Sequence, residues 1–308
     1  MRLIVRATPS LCCQLLGSLL LALPVTAQRP TTLLHTIPAP FGTAQVGGNL
    51  GQRVGIDGDY TVVGVPYEDR TEQNEGVAKV FHSTTGALLH VLRNSTPPGH
   101  AYFGSDVAIS GTRVAVTVGS YSAGNRVYLY DLKVGTEAVV IPTDAYGSSV
   151  ALSGTRLIVG AYQAKTGPPG RVYVYDLSAA NPTTPKLTVD SRDFDPSYSF
   201  GSSVSISGAR VVVGAPEHGQ GRVYHFDLES STPTLPVTTL DNPSPGGDPR
   251  FGFGHSVTIS ETRIVVGTPN YDTGTADVGR AYVYDLTTPT PTTPTTTLNN
   301  PTPTGSSR

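Results

Sequence analysis

Asp57-Gly58-Asp59 sets two carboxylates either side of a glycine, a spacing from which an oxygen cage for calcium could be started. That ion takes roughly six to eight oxygens, and two acids in a three-residue turn cannot supply them. Hydrolytic chemistry has no better footing. The seven histidines (His35, His82, His90, His100, His218, His225 and His255) fall in no HExxH, paired-His or Cys/His spacing, and no serine lies in a G-x-S-x-G elbow. Gly254-His255-Ser256 resembles a fragment of such an elbow, but the equivalent triplets elsewhere read GSD, GSS and GSS, which makes it part of a scaffold. The chemistry that remains is non-covalent recognition, carried by short segments rich in tyrosine, acids and histidine. They run VPYEDRTEQNEG from Val65, GSYSAGN from Gly119, AYQAKTGPPG from Ala161, APEHGQG from Ala215 and TPNYDTGTADVG from Thr268. Tyr67, Glu68, Asp69, Tyr162, Glu217, His218, Tyr271 and Asp272 are the candidates in them for contact with a protein or glycan partner. No catalytic, cofactor-binding or metal-binding residue is expected.

These segments differ in length and charge while the sequence on either side repeats. Residues 200–216 read FGSSVSISGARVVVGAP, and variants of that phrase open at Leu50-Gly51, Phe103-Gly104, Tyr146-Gly147, Phe200-Gly201 and Phe253-Gly254. The second glycines are 53, 43, 54 and 53 residues apart, the length of a four-stranded propeller blade with its connection and too long for a solenoid coil. Within the fourth copy, Ser203 to Ser207 alternates apolar and polar residues as a half-buried strand does. Ser207-Gly208 turns into a second strand, Arg210 to Val213, which Gly214-Ala215-Pro216 ends. A third strand spans Gly221 to Leu228, and Val237 to Leu240 is the outer one. Loops of variable length between strands of fixed pattern are how a rigid scaffold presents a recognition surface. Tyr128/Tyr130, Tyr173/Tyr175 and Tyr282/Tyr284 are two apart, share a strand face and are expected to pack between blades. Arg113, Arg156, Arg210 and Arg263 recur after the first turn and read as scaffold for the same reason.

The aromatic-glycine opening, the VGAP-type close of the second strand and the RVYLYDL, RVYVYDL and RAYVYDL strands from Arg126, Arg171 and Arg280 resemble FG-GAP repeats. Those are the blades of the integrin α-subunit propeller, and the copies here are most similar to the extracellular bacterial variety. The resemblance covers about residues 41–300, with repeats near 49–93, 102–141, 146–189, 199–241 and 252–299. It implies an all-β propeller of four-stranded blades, five visible here and a seven-bladed ring in the integrin head. Many such blades carry a D-x-D-x-D-G calcium loop. The turns here read SGTR, SGTR, SGAR and SETR, so that site transfers to no residue, and Asp57 and Asp59 take the serine and threonine positions of sibling hairpins.

Composition agrees with a secreted all-β chain: 34 Gly, 26 Pro, no Trp, and a formal charge of −2 that offers no basic face to nucleic acid or an anionic membrane. Arg2 and Arg6, the apolar run Leu15 to Leu23 and Val25-Thr26-Ala27 read as a signal peptide over residues 1–27, with the mature chain at 28–308. The apolar run falls short of the roughly 20 residues of a membrane span. Both cysteines, Cys12 and Cys13, lie in that leader. Thr31 to Thr36 resembles the outer strands and could close a last blade; the outer strand near Thr296–Asn299 would then be surplus, which points to a C-terminally incomplete ring, with a five-bladed ring and frayed tail as the alternative. The functional expectation is a secreted or cell-surface, non-enzymatic binding or adhesion module. Its rivals are an exported propeller hydrolase or lyase with a central pocket, and a purely architectural domain.

Overall fold

The computed structural model describes residues 48–69, 73–94, 101–119, 126–134, 136–143, 147–162, 169–197, 199–244, 252–269 and 279–300, all within one compact unit, His35–Arg308. The leader and residues 31–36 lie outside the described residues. Among the described residues, twenty strands form five antiparallel sheets, each made of four consecutive strands. Blade 1 comprises β1 (Val54–Asp57), β2 (Tyr60–Val65), β3 (Val77–His82) and β4 (Leu88–Leu92). Blade 2 comprises β5 (Phe103–Ser110), β6 (Arg113–Val118), β7 (Arg126–Asp131) and β8 (Thr136–Pro142). Blade 3 comprises β9 (Gly147–Ser153), β10 (Arg156–Tyr162), β11 (Arg171–Asp176) and β12 (Leu187–Asp190). Blade 4 comprises β13 (Ser203–Ser207), β14 (Arg210–Ala215), β15 (Arg222–Asp227) and β16 (Thr238–Asp241). Blade 5 comprises β17 (Ser256–Ser260), β18 (Arg263–Thr268), β19 (Arg280–Asp285) and β20 (Thr296–Asn299). The fold is a β-propeller, and among the described residues the fourth strand of the blade 5 sheet is Thr296–Asn299.

Period-2 alternation in the sequence becomes packing between blades. Along β7, Tyr128 and Tyr130 turn toward blade 1 and meet Val62, Val80 and Leu92, while Val127 and Leu129 turn toward blade 3 and meet Val150, Leu152 and Leu157. The same division recurs at the next two junctions, where Tyr224 and Phe226 face blade 3 and Tyr282 and Tyr284 face blade 4. The core is therefore partitioned into inter-blade layers, and burial of each large apolar side chain in one is worth about 1.5–3 kcal/mol.

Polar ties repeat alongside the apolar layers. The turn N–H groups of Gly111, Gly154, Gly208 and Glu261 donate to Asp57 Oδ2 (2.7 Å), Ser110 Oγ (3.0 Å), Ser153 Oγ (3.3 Å) and Ser207 Oγ (3.0 Å) of the preceding blade. Asp57 thus does more than shape its own hairpin: it is the first rung of an inter-blade ladder. Arg113 and Arg156 donate to the carbonyls of Gly154 and Gly208 in the next blade, at 3.5 and 2.9 Å, so these two repeated arginines hold blades together. At the other end of the strands the aromatic-glycine step locks onto the blade before it. Gly104, Gly201 and Gly254 adopt φ of 93, 90 and 95°, a conformation glycine alone takes readily, and the carbonyls of Gly201 and Gly254 lie over the Cα atoms of Gly160 and Gly214. Ser149 and Ser203 donate from Oγ to those same carbonyls, each at 2.8 Å.

Candidate functional site

The loops between second and third strands all emerge at the end of the blades where the aromatic-glycine steps lock. In blade 1, Tyr67 packs edge-on against Tyr102, with ring centroids 5.4 Å apart, and keeps 36% of its surface exposed. Glu68 follows it and forms an ion pair with Lys79, a buried side chain on β3. Lys79 occupies the strand position that Tyr128 and Tyr224 hold in their blades, so a charge stands where the sister blades bury a ring. Asp69 accepts from the Asn74 N–H at 2.6 Å and folds the loop back on itself. Glu68 and Asp69 are thus used in shaping the loop, and Tyr67 is its outward feature.

Blade 4 carries a denser polar cluster. The connector entering it bends through a short 3-10 turn, Ser191–Asp193, whose preceding Asp190 accepts from the Arg192 N–H. Phe194 then anchors among Phe200, Tyr224 and Phe226, and Asp195 is delivered to the loop face. Its Oδ1 lies 3.2 Å from His218 Nε2, and its Oδ2 accepts from Arg222 and from the Tyr224 hydroxyl, each at 2.5 Å. Burial alone would raise the Asp195 carboxyl, yet the Tyr224 and Arg222 hydrogen bonds outweigh it and hold the group below the usual carboxylate range. Burial and then the Asp195 hydrogen bond push the Tyr224 phenol well above its ordinary value. Arg222 also reaches Asp241 at 2.7 Å, and blade 3 repeats the device with Arg171 on Asp190 at 2.8 Å. The two arginines lie directly across the ladder from those acids. Arg192 first, and Arg171 with it, hold Asp190 far below its usual value.

Of the sequence candidates, the structure thus groups Tyr67, Glu68 and Asp69 on blade 1 and Glu217 and His218 on blade 4. Tyr162 projects from blade 3 with 37% exposure. Tyr271 and Asp272 lie outside the described residues. Sequence reading missed Asp195, Arg222, Tyr224 and Asp241. The recurring Arg at the head of the third strand and the Asp at the foot of the fourth were the signal that could have found two of them.

Near the central axis, Arg53 of blade 1 approaches Asp106 of blade 2, Nε to Oδ1 at 3.6 Å. Burial lifts the Asp106 carboxyl to about 6, against the lowering effect of its hydrogen bonds from the N–H groups of Val150 (2.9 Å) and Val107 (3.0 Å) and of the Arg53 charge. Partial burial, then the Arg53 charge, push His255 below its ordinary value. A cavity of about 150 Å³ lies at the opposite end of blades 3 and 4, lined by Arg156, Tyr175, Asp176, Lys186, Leu187 and Leu228 among others. That is below the roughly 300–1,000 Å³ of a small-molecule pocket. Among the described residues no three or more His, Cys, Asp or Glu side chains are grouped as metal ligands, and no helix is long and apolar enough to cross a membrane.

A family model for the FG-GAP repeat matches residues 141–175 and 246–284. The chain carries FG-GAP repeats. No curated protein matches its sequence. Among solved structures, this FG-GAP chain is similar to a chain of a mitotic checkpoint complex, at 14% identity and a TM-score of 0.56, over 87% of this chain and 75% of the other. It is also similar to the Dos1 propeller (15% identity, TM-score 0.47, 78% of this chain and 55% of that one) and to Kluyvelomyces marxianus Hsv2 (13%, 0.47, 77% and 59%). At such identity the likeness to the checkpoint chain concerns the fold alone.

Proposed function

We propose that this FG-GAP propeller is an extracellular binding or adhesion module that contacts a protein or glycan through its loop face, without catalysis or a cofactor. One observation carries the reading: at the four junctions between consecutive blades the repeated residues are used in ties, whereas the loops differ in sequence and present exposed aromatic side chains, Tyr67 and Tyr162, at one end. Tyrosine supplies large contact area at small entropic cost, and such anchors dominate interface energetics at about 1–2 kcal/mol or more each. The test is attachment of protein-coated beads to glycan panels and to cell surfaces. Tyr67→Ser with Tyr162→Ser should lower attachment at least tenfold, while Lys133→Ser with Lys186→Ser at the opposite end should leave it unchanged. Equal loss from both pairs, or none from either, overturns the reading.

The enzymatic alternative has one observation in its favour, the approach of Arg53, Asp106 and His255 from three blades to the central axis. Both Asp106 oxygens, however, accept backbone N–H groups, and one of these belongs to the next blade, which is the work of a junction tie.

A further inference from the structure

We propose that blades 5 and 1 are the two halves of a self-association interface, in which the first blade of one copy docks on the fifth blade of another. Its continuity with the inter-blade interface already described is the ground for it. In blade 5, Ser256 Oγ stands beside Gly267 as Ser203 Oγ stands beside Gly214, 2.3 Å from a built Cβ in both cases, yet no following carbonyl among the described residues covers Gly267. Ser260 matches Ser207, whose hydroxyl receives the next turn's N–H. Val212, Val223 and Leu240 on the corresponding face of blade 4 are fully buried; their counterparts in blade 5, Val265, Ala281 and Leu298, are half-buried or exposed, Leu298 by 50%.

Blade 1 holds the complementary half. Gly51 has the φ of 94° that marks the locking glycines, but no described residue lies within 4 Å of its Cβ position, whereas Gly104, Gly201 and Gly254 all meet a carbonyl of the blade before. Val54 and Ile56 are 65% and 69% exposed, although their counterparts Val204 and Ile206 are buried in the junction of blades 3 and 4. Gly58 is the counterpart of Gly111, Gly154 and Gly208, the donors of the inter-blade ladder. Further out, Val63 and Phe81 are already buried, so the docking element of blade 1 is β1 with its flanking glycines. Among the described residues the strands of blades 5 and 1 do not pack on each other as neighbours do, which leaves β1 and the outward face of blade 5 without a described partner blade. A head-to-tail contact of this kind leaves a free half at each end, so assembly proceeds past the dimer.

Light scattering on the size-fractionated chain over a concentration series tests the proposal. The natural chain should gain mass with concentration beyond a dimer, and Ile56→Glu and Gly267→Val should each stay monomeric with unchanged thermal unfolding. Their equimolar mixture should form a one-to-one dimer and nothing larger, because one intact blade 1 and one intact blade 5 remain. Leu298→Glu replaces Gly267→Val if the latter unfolds early. A natural chain that is monomeric throughout, a variant that associates as the natural chain does, or a mixture that stays monomeric overturns the proposal.

Discussion

Adding one methyl group at Gly214 and at Gly267 should have opposite consequences, although the two glycines hold the same position in adjacent blades. At Gly214 the new Cβ would lie 2.1 Å from the Gly254 carbonyl oxygen and 2.3 Å from Ser203 Oγ. The hydroxyl can rotate away; the carbonyl belongs to the locked strand of the next blade and must retreat by about 1 Å or more to reach ordinary contact. Overpacking of that kind costs roughly 1–3 kcal/mol, and losing the Ser203 hydrogen bond adds about 1 kcal/mol. Gly214→Ala should thus lose about 2–4 kcal/mol, or roughly 4–16 °C in Tm for a domain of this size. At Gly267 the only close atom among the described residues is the rotatable Ser256 hydroxyl, also at 2.3 Å. Alanine there lowers the entropy of the unfolded chain and favours the strand by about 0.5–1 kcal/mol, so Gly267→Ala should be neutral or slightly stabilising. Urea unfolding followed by circular dichroism, with the thermal midpoint as a second readout, compares the two directly. Gly160→Ala repeats the test at another junction, with Gly201 O at 2.1 Å. If Gly214→Ala and Gly267→Ala fall within about 1 kcal/mol of each other, the carbonyl-over-glycine lock is not what joins the blades.

Three buried departures from the repeat make further predictions. His225, in the aliphatic position of β15, is buried with neither ring nitrogen hydrogen-bonded among the described residues, and burial followed by the Arg210 charge lowers its pKa. The unfolded chain then takes up the proton first, so stability should fall as pH drops through about 6.5; His225→Val should flatten that slope and gain about 1–2 kcal/mol at neutral pH in urea titrations. Asp106 acts in the reverse sense, because a carboxyl raised from 3.8 to about 6 binds its proton more tightly when folded, and stability is lost as pH rises from 4 to 6. The full effect is about 3 kcal/mol, and Asp106→Ser should remove the slope in unfolding curves measured across that window. Glu68→Gln strands the buried Lys79 ammonium and should cost about 3 kcal/mol, with Glu68→Gln/Lys79→Met recovering most of it in the same assay.

How much of this could be read from the sequence depended on whether a residue's role repeats. The strand pattern of residues 200–216 places β13 and β14 within a residue or two, and the tyrosine pairs lie between blades as their spacing predicts. Arg113 and Arg156 were legible as scaffold for the same reason, since each meets the turn carbonyl of the next blade. Asp57 was only half legible: its hairpin followed from the sibling turns, but the hydrogen bond to Gly111 crosses 54 residues and requires the curl of the blades. Asp195 was not legible at all, because it reaches His218, Arg222 and Tyr224 only after a three-residue helical turn and the Phe194 anchor redirect the connector.

The departures from the repeat also separate structure from function on physical grounds. Lys79 replaces a buried tyrosine, Asp106 a serine and His225 an aliphatic residue, and each substitution puts an ionisable group where its siblings hold none. Such groups are costly unless paired, and the chain pairs two of them locally: Lys79 with Glu68, and Asp106 with the Val150 N–H of the next blade. Asp106 further coincides with Thr117 in place of the locking glycine, and its own N–H donates to the Thr117 hydroxyl at 2.8 Å. The junction of blades 2 and 3 therefore uses a different lock from the junctions of blades 3 and 4 and of blades 4 and 5. Asp106 and Thr117 are thus matched changes within one joint, which assigns them to the scaffold, and on the proposed binding function recognition falls to the exposed loop tyrosines.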